Sequence, residues 1–183
     1  GRFLRAGPAY GGSCFPKDTK AIINTANKFR TDLSVVKSVV KSNEKRSVLL
    51  HNRIYKLLNN NLKKKKICFL GVTFKANTDD MRESSSLTFI HYLLKKGAII
   101  NYYDPSGPKD EFGKNKNLKY IDNINDACRN TDLIIINTEW DEFKTLDFKK
   151  IVKKNKFKIY DMRNLYNPEE LRKRNIKYFS IGR

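Results

Sequence analysis

The stretch I-C-F-L-G-V at residues 67–72 decides the fold of this chain. It is a short, continuously apolar run, and it is followed by a polar loop and a helix start at Ser84, Ser85 and Ser86. Runs of this length bounded by turn residues are typical of strands that are buried on both faces, as in parallel sheets. The sequence therefore predicts a strand–loop–helix unit here.

Further units of this kind follow along the chain. Apolar runs predict three more strands, at residues 98–103, 133–136 and 157–160, and short helices at 124–129 and 168–173. Strands that alternate with helices predict βαβ units, and right-handed crossovers make the sheet doubly wound. The predicted fold class is α/β, with a long central helix followed by a Rossmann-like, mostly parallel sheet with helices on both faces.

The long helix is predicted from Thr31 to about Leu58, with Asp32 as its N-cap. Apolar residues recur there in steps of three and four, and two small polar residues interrupt the seam. The seam consists of Val36, Val40, Asn43, Ser47, Leu50, Ile54 and Leu57. At about 1.5 Å per residue, the helix is roughly 40 Å long. It is either a core helix of this chain or half of a subunit or domain interface, and we favour the interface.

Composition limits the class of protein. The 183 residues are 39% apolar, which is too much for a disordered chain, and no apolar run approaches the roughly 20 residues of a membrane span. No signal-peptide core opens the chain, and an odd number of cysteines indicates a reducing compartment. We therefore expect a cytoplasmic protein with no membrane partner, in which Cys68 and Cys128 are inert.

The net charge of +19, from 38 basic and 19 acidic residues, raises the alternative of a nucleic-acid or membrane-surface partner. The lysines are spread along the sequence apart from one dense run at residues 63–66. No nucleic-acid motif accompanies them. We favour a solvated lysine-rich surface, expect no nucleic-acid partner, and leave open that some basic residues meet a small anionic ligand.

Residues 1–20 are rich in glycine and proline, which predicts a loop whose backbone can approach a ligand closely. Within it, the stretch G-G-S-C-F-P-K-D at residues 11–18 contains Cys14, with Lys17 and Asp18 three and four residues later. The thiolate is the nucleophilic form of cysteine, and a nearby ammonium favours it. Asp18 could orient a water molecule. The alternative is an inert, packed cysteine.

A second candidate is the loop from Phe74 to Ser86, which leaves the carboxyl end of the first predicted strand and enters a helix. Open α/β sheets bind ligands at such positions. Lys75 and Arg82 could grip phosphate, and the serines at the helix start add N–H donors. No G-x-G-x-x-G or P-loop is present in this turn. The alternative is a solvated polar turn with surface ion pairs, which these residues alone favour slightly.

Together these segments resemble the UDP-glucose/GDP-mannose dehydrogenase family, in order and at the family spacing over nearly the whole chain. The motifs are G-G-S-C-F-P-K-D-T-K-A-I at 11–22, F-K at 74–75, D-D-x-R-E-S at 79–84, Y-D-P at 103–105, T-E-W at 138–140 with Phe143, and D-x-R-N at 161–164. The motif S-C-F-P-K-D is more similar to the motif of members that act on UDP-glucose than to that of members that act on GDP-mannose or N-acetylated sugars.

The resemblance implies an NAD-dependent, two-step oxidation of UDP-glucose to UDP-glucuronate. Another nucleotide-sugar 6-dehydrogenase, or a UDP-sugar-binding module without catalysis, are the alternatives. Cys14 is implied as the nucleophile that forms a thiohemiacetal and then a thioester, and Asp18 as the carboxylate of the water step. The implied cofactor contacts are Cys14, Phe15, Pro16, Lys17 and Arg82. The implied substrate contacts are Arg5, Ala6, Gly7, Pro8, Ala9, Tyr10, Gly11, Phe74, Lys75 and Arg163.

The resemblance also implies a domain organisation. Residues 1–60 correspond to the end of a central region with the cysteine loop and a long dimerisation helix, and residues 61–183 to a C-terminal UDP-sugar-binding domain. The N-terminal cofactor domain of the family has no match in this sequence. We therefore expect the C-terminal part of such an enzyme, a homodimer through the long helix, and no activity from this chain alone.

Overall fold

The computed structural model describes residues 5–182. Two helices come first, α1 (Cys14–Lys28) and α2 (Ser34–Leu57). Strands and helices then alternate: β1 (Lys66–Leu70), α3 (Ser85–Lys95), β2 (Ile99–Tyr103), β3 (Leu118–Tyr120), α4 (Ile124–Cys128), β4 (Leu133–Ile136), α5 (Phe148–Ile151), β5 (Lys158–Asp161), α6 (Pro168–Lys173) and β6 (Lys177–Ser180). Short 3-10 helices lie at Asp110–Phe112 and Asp141–Thr145.

The six described strands form one sheet in the order β3-β2-β1-β4-β5-β6, and every neighbouring pair is parallel. The order of the strands reverses between β1 and β4, which is the arrangement of a doubly wound sheet. The α/β, Rossmann-like fold class predicted from the sequence is therefore confirmed.

Helices cover both faces of this sheet. Ile67 and Phe69 of β1 pack in one core layer with residues of α2 and α3, whereas Cys68 and Leu70 pack in the other with α4, α5 and α6. Alternate residues of a strand point to opposite faces, so a strand buried on both sides is apolar throughout. This is the physical reason for the continuous apolar run that predicted β1.

Two predictions about the first sixty residues are wrong. The loop predicted over residues 1–20 ends early, because α1 begins at Cys14. Pro16 lies in the first turn of that helix, where its missing N–H has no intrahelical partner to lose and proline is tolerated. Asp32 does not cap α2, since the N-cap residue is Leu33 and no side chain bonds there.

The predicted seam of α2 faces the rest of this chain. Leu50 and Ile54 are buried in the core, and Asn43 and Ser47 bond to other parts of the chain. A different set of α2 residues is exposed, namely Val35, Val39, Val48 and Leu49, and Phe29 at the end of α1 is exposed as well. The part of the seam from Asn43 onward is therefore a contact within this chain, and a subunit interface on α2 stays a prediction.

The two outer strands β3 and β6 were not predicted. Each has a single neighbour and is short, and lysines and tyrosines interrupt its apolar residues. No helix within residues 5–182 combines the length and apolar character needed to cross a bilayer.

Candidate active site

The candidate site lies at the carboxyl ends of β1 and β4, where the strand order reverses. The helix that follows β1 starts there, and the Ser84 side chain caps it by accepting the backbone N–H of Ser86. Ser84 Oγ and Ser86 Oγ both also donate to the carbonyl of Val72. These bonds fix the loop between β1 and α3 at both of its ends.

Asp104 at the end of β2 fixes the start of this loop. Its Oδ2 accepts the backbone N–H groups of Val72, at 2.7 Å, and Thr73, at 3.3 Å. Asp104 is fully buried, and its other oxygen accepts from Ser106. The carboxylate at the end of the second strand binds the cofactor ribose in dinucleotide-binding Rossmann domains. Here it is engaged by the protein backbone instead.

Arg163, on the turn after β5, crosses the site. Its Nε donates to the carbonyl of Asn137 at 2.8 Å and lies 2.8 Å from a Glu139 carboxylate oxygen, and its Nη2 donates to the carbonyl of Phe74 at 3.1 Å. Burial lowers the pKa of Arg163, against the opposing effects of Glu139 and Asp161. Arg163 thus joins the loops that follow β1, β4 and β5.

Asp161 holds the turn that carries Arg163. Its carboxylate accepts the backbone N–H groups of Arg163, at 2.8 Å, and Leu165, at 2.7 Å, and the Tyr178 hydroxyl at 2.8 Å. Burial raises the pKa of Asp161, although these hydrogen bonds act in the opposite direction. The carboxylate therefore shapes the turn.

The glycine pair of the first loop packs directly on the loop after β1. A Cβ added to Gly11 would lie 2.3 Å from the carbonyl oxygen of Glu83, and one added to Gly12 would lie 2.8 Å from the Phe74 ring. Gly12 has a φ of +82° and donates its N–H to the carbonyl of Arg82 at 2.9 Å. Only glycine permits this approach, and it brings Cys14 beside residues 74–83.

Gly7 makes a similar approach on the other side of the site. A Cβ at this position would lie 2.8 Å from Nη1 of Arg163. The structure therefore brings Gly7, Gly11, Phe74 and Arg163 together, as a common substrate site requires. Arg5 and Ala6 are exposed at the start of the described chain, and Pro8 is buried.

Cys14 is the first residue of α1, is exposed and is not in a disulfide. Its Sγ lies 3.6 Å from the Ser13 hydroxyl. Lys17 and Asp18 lie 3.5 Å apart on the next turn, with both side chains largely exposed. Phe15 packs edge-on against Tyr10, with ring centroids 4.7 Å apart.

Arg82 makes a two-bond contact with Asp80, from Nε at 2.9 Å and from Nη2 at 2.7 Å. The Arg82 hydrogen bond lowers the pKa of Asp80, and Asp80 in turn raises the pKa of Arg82. Cys14 makes a smaller contribution that also raises the pKa of Arg82. Lys75 is exposed, with its Nζ 5.2 Å from the centre of the Phe74 ring.

Sequence reasoning missed a clamp that α2 places on the first loop. Asn43 accepts the Tyr10 N–H at 3.0 Å and donates to the Tyr10 carbonyl at 3.3 Å. Arg46 donates to the carbonyls of Gly7 and Pro8 through three bonds of 2.8 to 3.1 Å. The interruption of the apolar seam at Asn43 was the available signal. We call Asn43 and Arg46 the α2 clamp.

Known proteins resemble this chain in sequence and in fold. The model of the UDP-glucose/GDP-mannose dehydrogenase family, UDP binding domain, matches residues 68–168, and the central-domain model of that family matches residues 1–45. The chain is 40% identical to a UDP-glucose 6-dehydrogenase of Rickettsia felis, over 98% of this chain and 41% of that protein. It is 34% identical to the UDP-glucose 6-dehydrogenase TuaD of Bacillus subtilis, over 100% of this chain and 40% of that protein.

Solved structures show the same similarity. A UDP-glucose dehydrogenase from Pyrobaculum islandicum superposes with a TM-score of 0.78 at 28% identity, over 94% of this chain and 38% of that chain. An NDP-N-acetyl-D-galactosaminuronic acid dehydrogenase from Methanosarcina mazei gives a TM-score of 0.81 at 26% identity, over 97% of this chain and 39% of that chain.

The fold is that of a Rossmann-like α/β protein, with the candidate site at the carboxyl edge of a parallel sheet. The chain belongs to the UDP-glucose/GDP-mannose dehydrogenase family. It spans about two fifths of the length of the curated relatives it matches.

Proposed function

We propose that this chain is the C-terminal part of a UDP-glucose 6-dehydrogenase, which oxidises the C6 alcohol of UDP-glucose to the carboxylate of UDP-glucuronate. The observation that carries the proposal is the contact of the Gly11–Gly12 turn with Phe74 and Glu83. That contact joins the loop of the candidate nucleophile Cys14 to the carboxyl edge of the UDP-binding domain. One nucleotide sugar could therefore meet both.

The substrate would lie between the first loop and the loop after β1. Lys75 is an exposed cation at this edge and suits a diphosphate oxygen. Arg163 already bonds to two carbonyls and a carboxylate, so it offers mainly its Nη1, on the side of Gly7. The first loop, Arg5 to Gly11, would contribute backbone groups to the sugar.

NAD, when bound, would supply the acceptor for the two hydrides that leave C6. Lys17 and Arg82 are exposed cations on either side of the Cys14 loop, and their charge suits the pyrophosphate of such a cofactor. Phe15 and Pro16 lie between Cys14 and Lys17 in the sequence and would complete the cofactor surface that this chain provides. The dinucleotide fingerprint itself is not among these residues.

Cys14 would hold the substrate between the two oxidations. Its sulfur bonds to C6 of the aldehyde and its proton passes to the aldehyde oxygen, which gives a thiohemiacetal. After the second oxidation the same carbon is a thioester. Water then attacks that carbon, the S–C6 bond breaks, and the thiol and the carboxylate are released. Asp18, one turn along α1, would orient this water and accept its proton.

Substitution of Cys14 by serine in the complete enzyme tests this assignment. We expect turnover to be lost, whereas affinity for UDP-glucose stays within about twofold, because the thiol acts after binding. NADH formation and calorimetry with UDP-glucose measure the two quantities. Undiminished NADH formation would eliminate the covalent role. UDP binding with no NADH from the intact Cys14 enzyme would instead indicate a binding module without catalysis.

Binding of UDP can be measured on this chain alone, for which we propose no dehydrogenase activity. Lys75→Ala should weaken UDP binding by about tenfold, since a charge-assisted bond to phosphate contributes roughly 1.5 kcal/mol or more. Lys28→Ala, an exposed lysine at the end of α1, is the matched control. GDP-mannose and UDP-N-acetylglucosamine as competitors test the sugar nucleotide. If UDP does not bind, or if Lys75→Ala leaves the affinity for UDP unchanged, the proposed UDP site at Lys75 is contradicted.

We also propose a cytoplasmic homodimer. The exposed thiol of Cys14 requires a reducing compartment to stay active. The exposed apolar residues Val35, Val39, Val48 and Leu49 of α2 support an interface on this helix. Leu49→Asp should halve the mass measured by light scattering, and an unchanged mass would contradict dimerisation through α2.

A further inference from the structure

The two edges of the sheet carry opposite charge patterns. Seventeen lysines and arginines lie in the windows from five residues before each strand to its first residue, against the single acidic residue Asp132. They are Lys63, Lys64, Lys65, Lys66, Lys95, Lys96, Lys114, Lys116, Arg129, Lys153, Lys154, Lys156, Lys158, Arg172, Lys173, Arg174 and Lys177. The equivalent windows at the carboxyl ends of β1 to β5 hold two basic and five acidic residues.

These segments are far apart in the sequence, but the topology gathers them. All the strands are parallel, so all of them start at the same edge of the sheet. Contacts join the starts of neighbouring strands. Lys64 donates its N–H to the Gly97 carbonyl, and Lys158 is the register partner of Lys177. The Asp132 carboxylate accepts the backbone N–H of Lys66 and pairs with the Lys154 ammonium group. We call these seventeen residues the basic edge.

Helix ends explain only part of the basic edge. Cations at helix C-termini interact favourably with the helix dipole, and Lys95 and Lys173 are of this kind. The dense run at 63–66, and Lys114, Lys116 and Lys177, do not lie in the last turn of an α-helix. Like charges this close together repel, which disfavours the folded chain. Within residues 5–182, ion pairs with Asp126, Asp132 and Asp147 offset the charge of only three of the seventeen residues, Arg129, Lys154 and Arg174.

The basic edge lies at the opposite end of the sheet from the candidate active site, so it is poorly placed to attract the proposed substrate. A strand of five residues is roughly 16 Å long, which places the two edges about two Debye lengths apart at physiological ionic strength. The charges of the basic edge are therefore largely screened from the candidate active site.

We propose that the basic edge is a docking surface for anionic lipid membranes, which holds the active-site edge away from the bilayer. Fourteen of the seventeen residues are lysine, whose compact, hydrated charge suits diffuse attraction to lipid headgroups. Phe157 is the one aromatic residue in these windows, and it is partly buried. Nucleic-acid surfaces use arginine forks and stacking aromatics, so a nucleic-acid partner is disfavoured. This inference does not depend on the proposed catalytic function.

The absence of a long apolar run predicts no membrane partner, and the spread of the lysines along the sequence favours a solvated surface. Since the topology collects these lysines at one edge, a peripheral, electrostatic association is compatible with the absence of such a run. The edge offers few exposed apolar side chains, of which Ile99 is the most exposed at 36%, so binding should be fully reversible by salt.

Co-sedimentation with vesicles tests the proposal. The full chain is mixed with vesicles of phosphatidylcholine alone or of equal parts phosphatidylcholine and phosphatidylglycerol, over a series of salt concentrations. The edge variant carries Lys→Gln at the four exposed positions 63, 64, 95 and 96. The control variant carries Lys→Gln at 28, 37, 41 and 45, beyond the opposite edge of the sheet, with the same change in net charge.

We expect binding to the anionic vesicles only, weakened more than about tenfold in the edge variant and by less than about threefold in the control. Equal loss in the two variants would overturn the proposal, because net charge alone would then explain binding. Failure to bind the anionic vesicles, together with salt-dependent binding of duplex DNA, would assign the edge to nucleic acid instead. Thermal melting of both variants confirms that they are folded.

Discussion

Removal of Arg46 from the α2 clamp should loosen the first loop while leaving the core intact. The Arg46 guanidinium donates three hydrogen bonds to the carbonyls of Gly7 and Pro8. Hydrogen bonds from a charged donor contribute roughly 1.5–3 kcal/mol each, and partial exposure to solvent reduces this. We take about 2 kcal/mol for the loss in Arg46→Met, which corresponds to about a thirtyfold larger population of the open loop.

Amide hydrogen exchange measures this population directly. The Tyr10 N–H donates to Asn43 and the Gly12 N–H donates to the Arg82 carbonyl, so both should exchange about thirtyfold faster in Arg46→Met. Lys45→Met changes the exposed neighbouring residue and should leave both rates unchanged. Arg46→Lys keeps the charge but loses the forked geometry, so an intermediate rate is expected.

Two results would refute this reasoning. Exchange rates at Tyr10 and Gly12 within about threefold of the parent would mean that Arg46 does not hold the loop. A uniform acceleration that includes core amides such as that of Ile135 would mean that Arg46 supports the whole fold. In the complete enzyme a loosened loop should affect substrate binding and turnover together, because it carries both the sugar contacts and Cys14.

Three further predictions concern thiol access and pH. A thiol reagent should label only Cys14 in the native chain and all three cysteines after denaturation. Labelling of more than one cysteine in the native state would contradict the burial of Cys68 and Cys128. Burial lowers the pKa of His51 from its usual 6.5, so the free energy of unfolding should decrease as the pH falls below 6.5. His51→Phe, which preserves the stack on Tyr92, should remove that dependence in denaturant titrations, and an unchanged slope would exclude His51 as its source. Burial and Glu142 raise the pKa of Tyr103 to about 12, so the free energy of unfolding should decrease as the pH rises above 10. Tyr103→Phe should flatten this decrease. An equally steep decrease in the variant would show that another group is responsible.

The strands of the sheet interior could be predicted from sequence because burial on both faces requires apolar residues at consecutive positions. The run at 67–72 and the run at 133–136 follow this rule, and both became central strands. The strand at 118–120 was not predicted, because a strand at the edge of a sheet does not need an apolar residue at every position. The helix that begins at Cys14 was not predicted, because glycine and proline are typical of loops and they occur before and within its first turn.

The candidate site could be located in part. The motif around Cys14 and the loop at 74–86 are local in sequence, so their chemistry was evident before the fold was known. Their mutual contact was not evident, because Gly12 and Phe74 meet only through the tertiary packing of the first loop on the domain. The positions of Asn43 and Arg46 in the clamp were hidden for the same reason.

By itself, the sequence determined the α/β alternation, the long helix before the sheet and the chemical groups of the two loops. These properties depend on neighbouring residues, whose spacing sets burial and backbone conformation. Tertiary structure alone decided that Arg163 is held by Glu139 and two backbone carbonyls, and that lysines dispersed over more than a hundred residues share one edge. The physical reason is that parallel strands return the chain repeatedly to the same edge, so charges distant in sequence become neighbours only when the sheet forms.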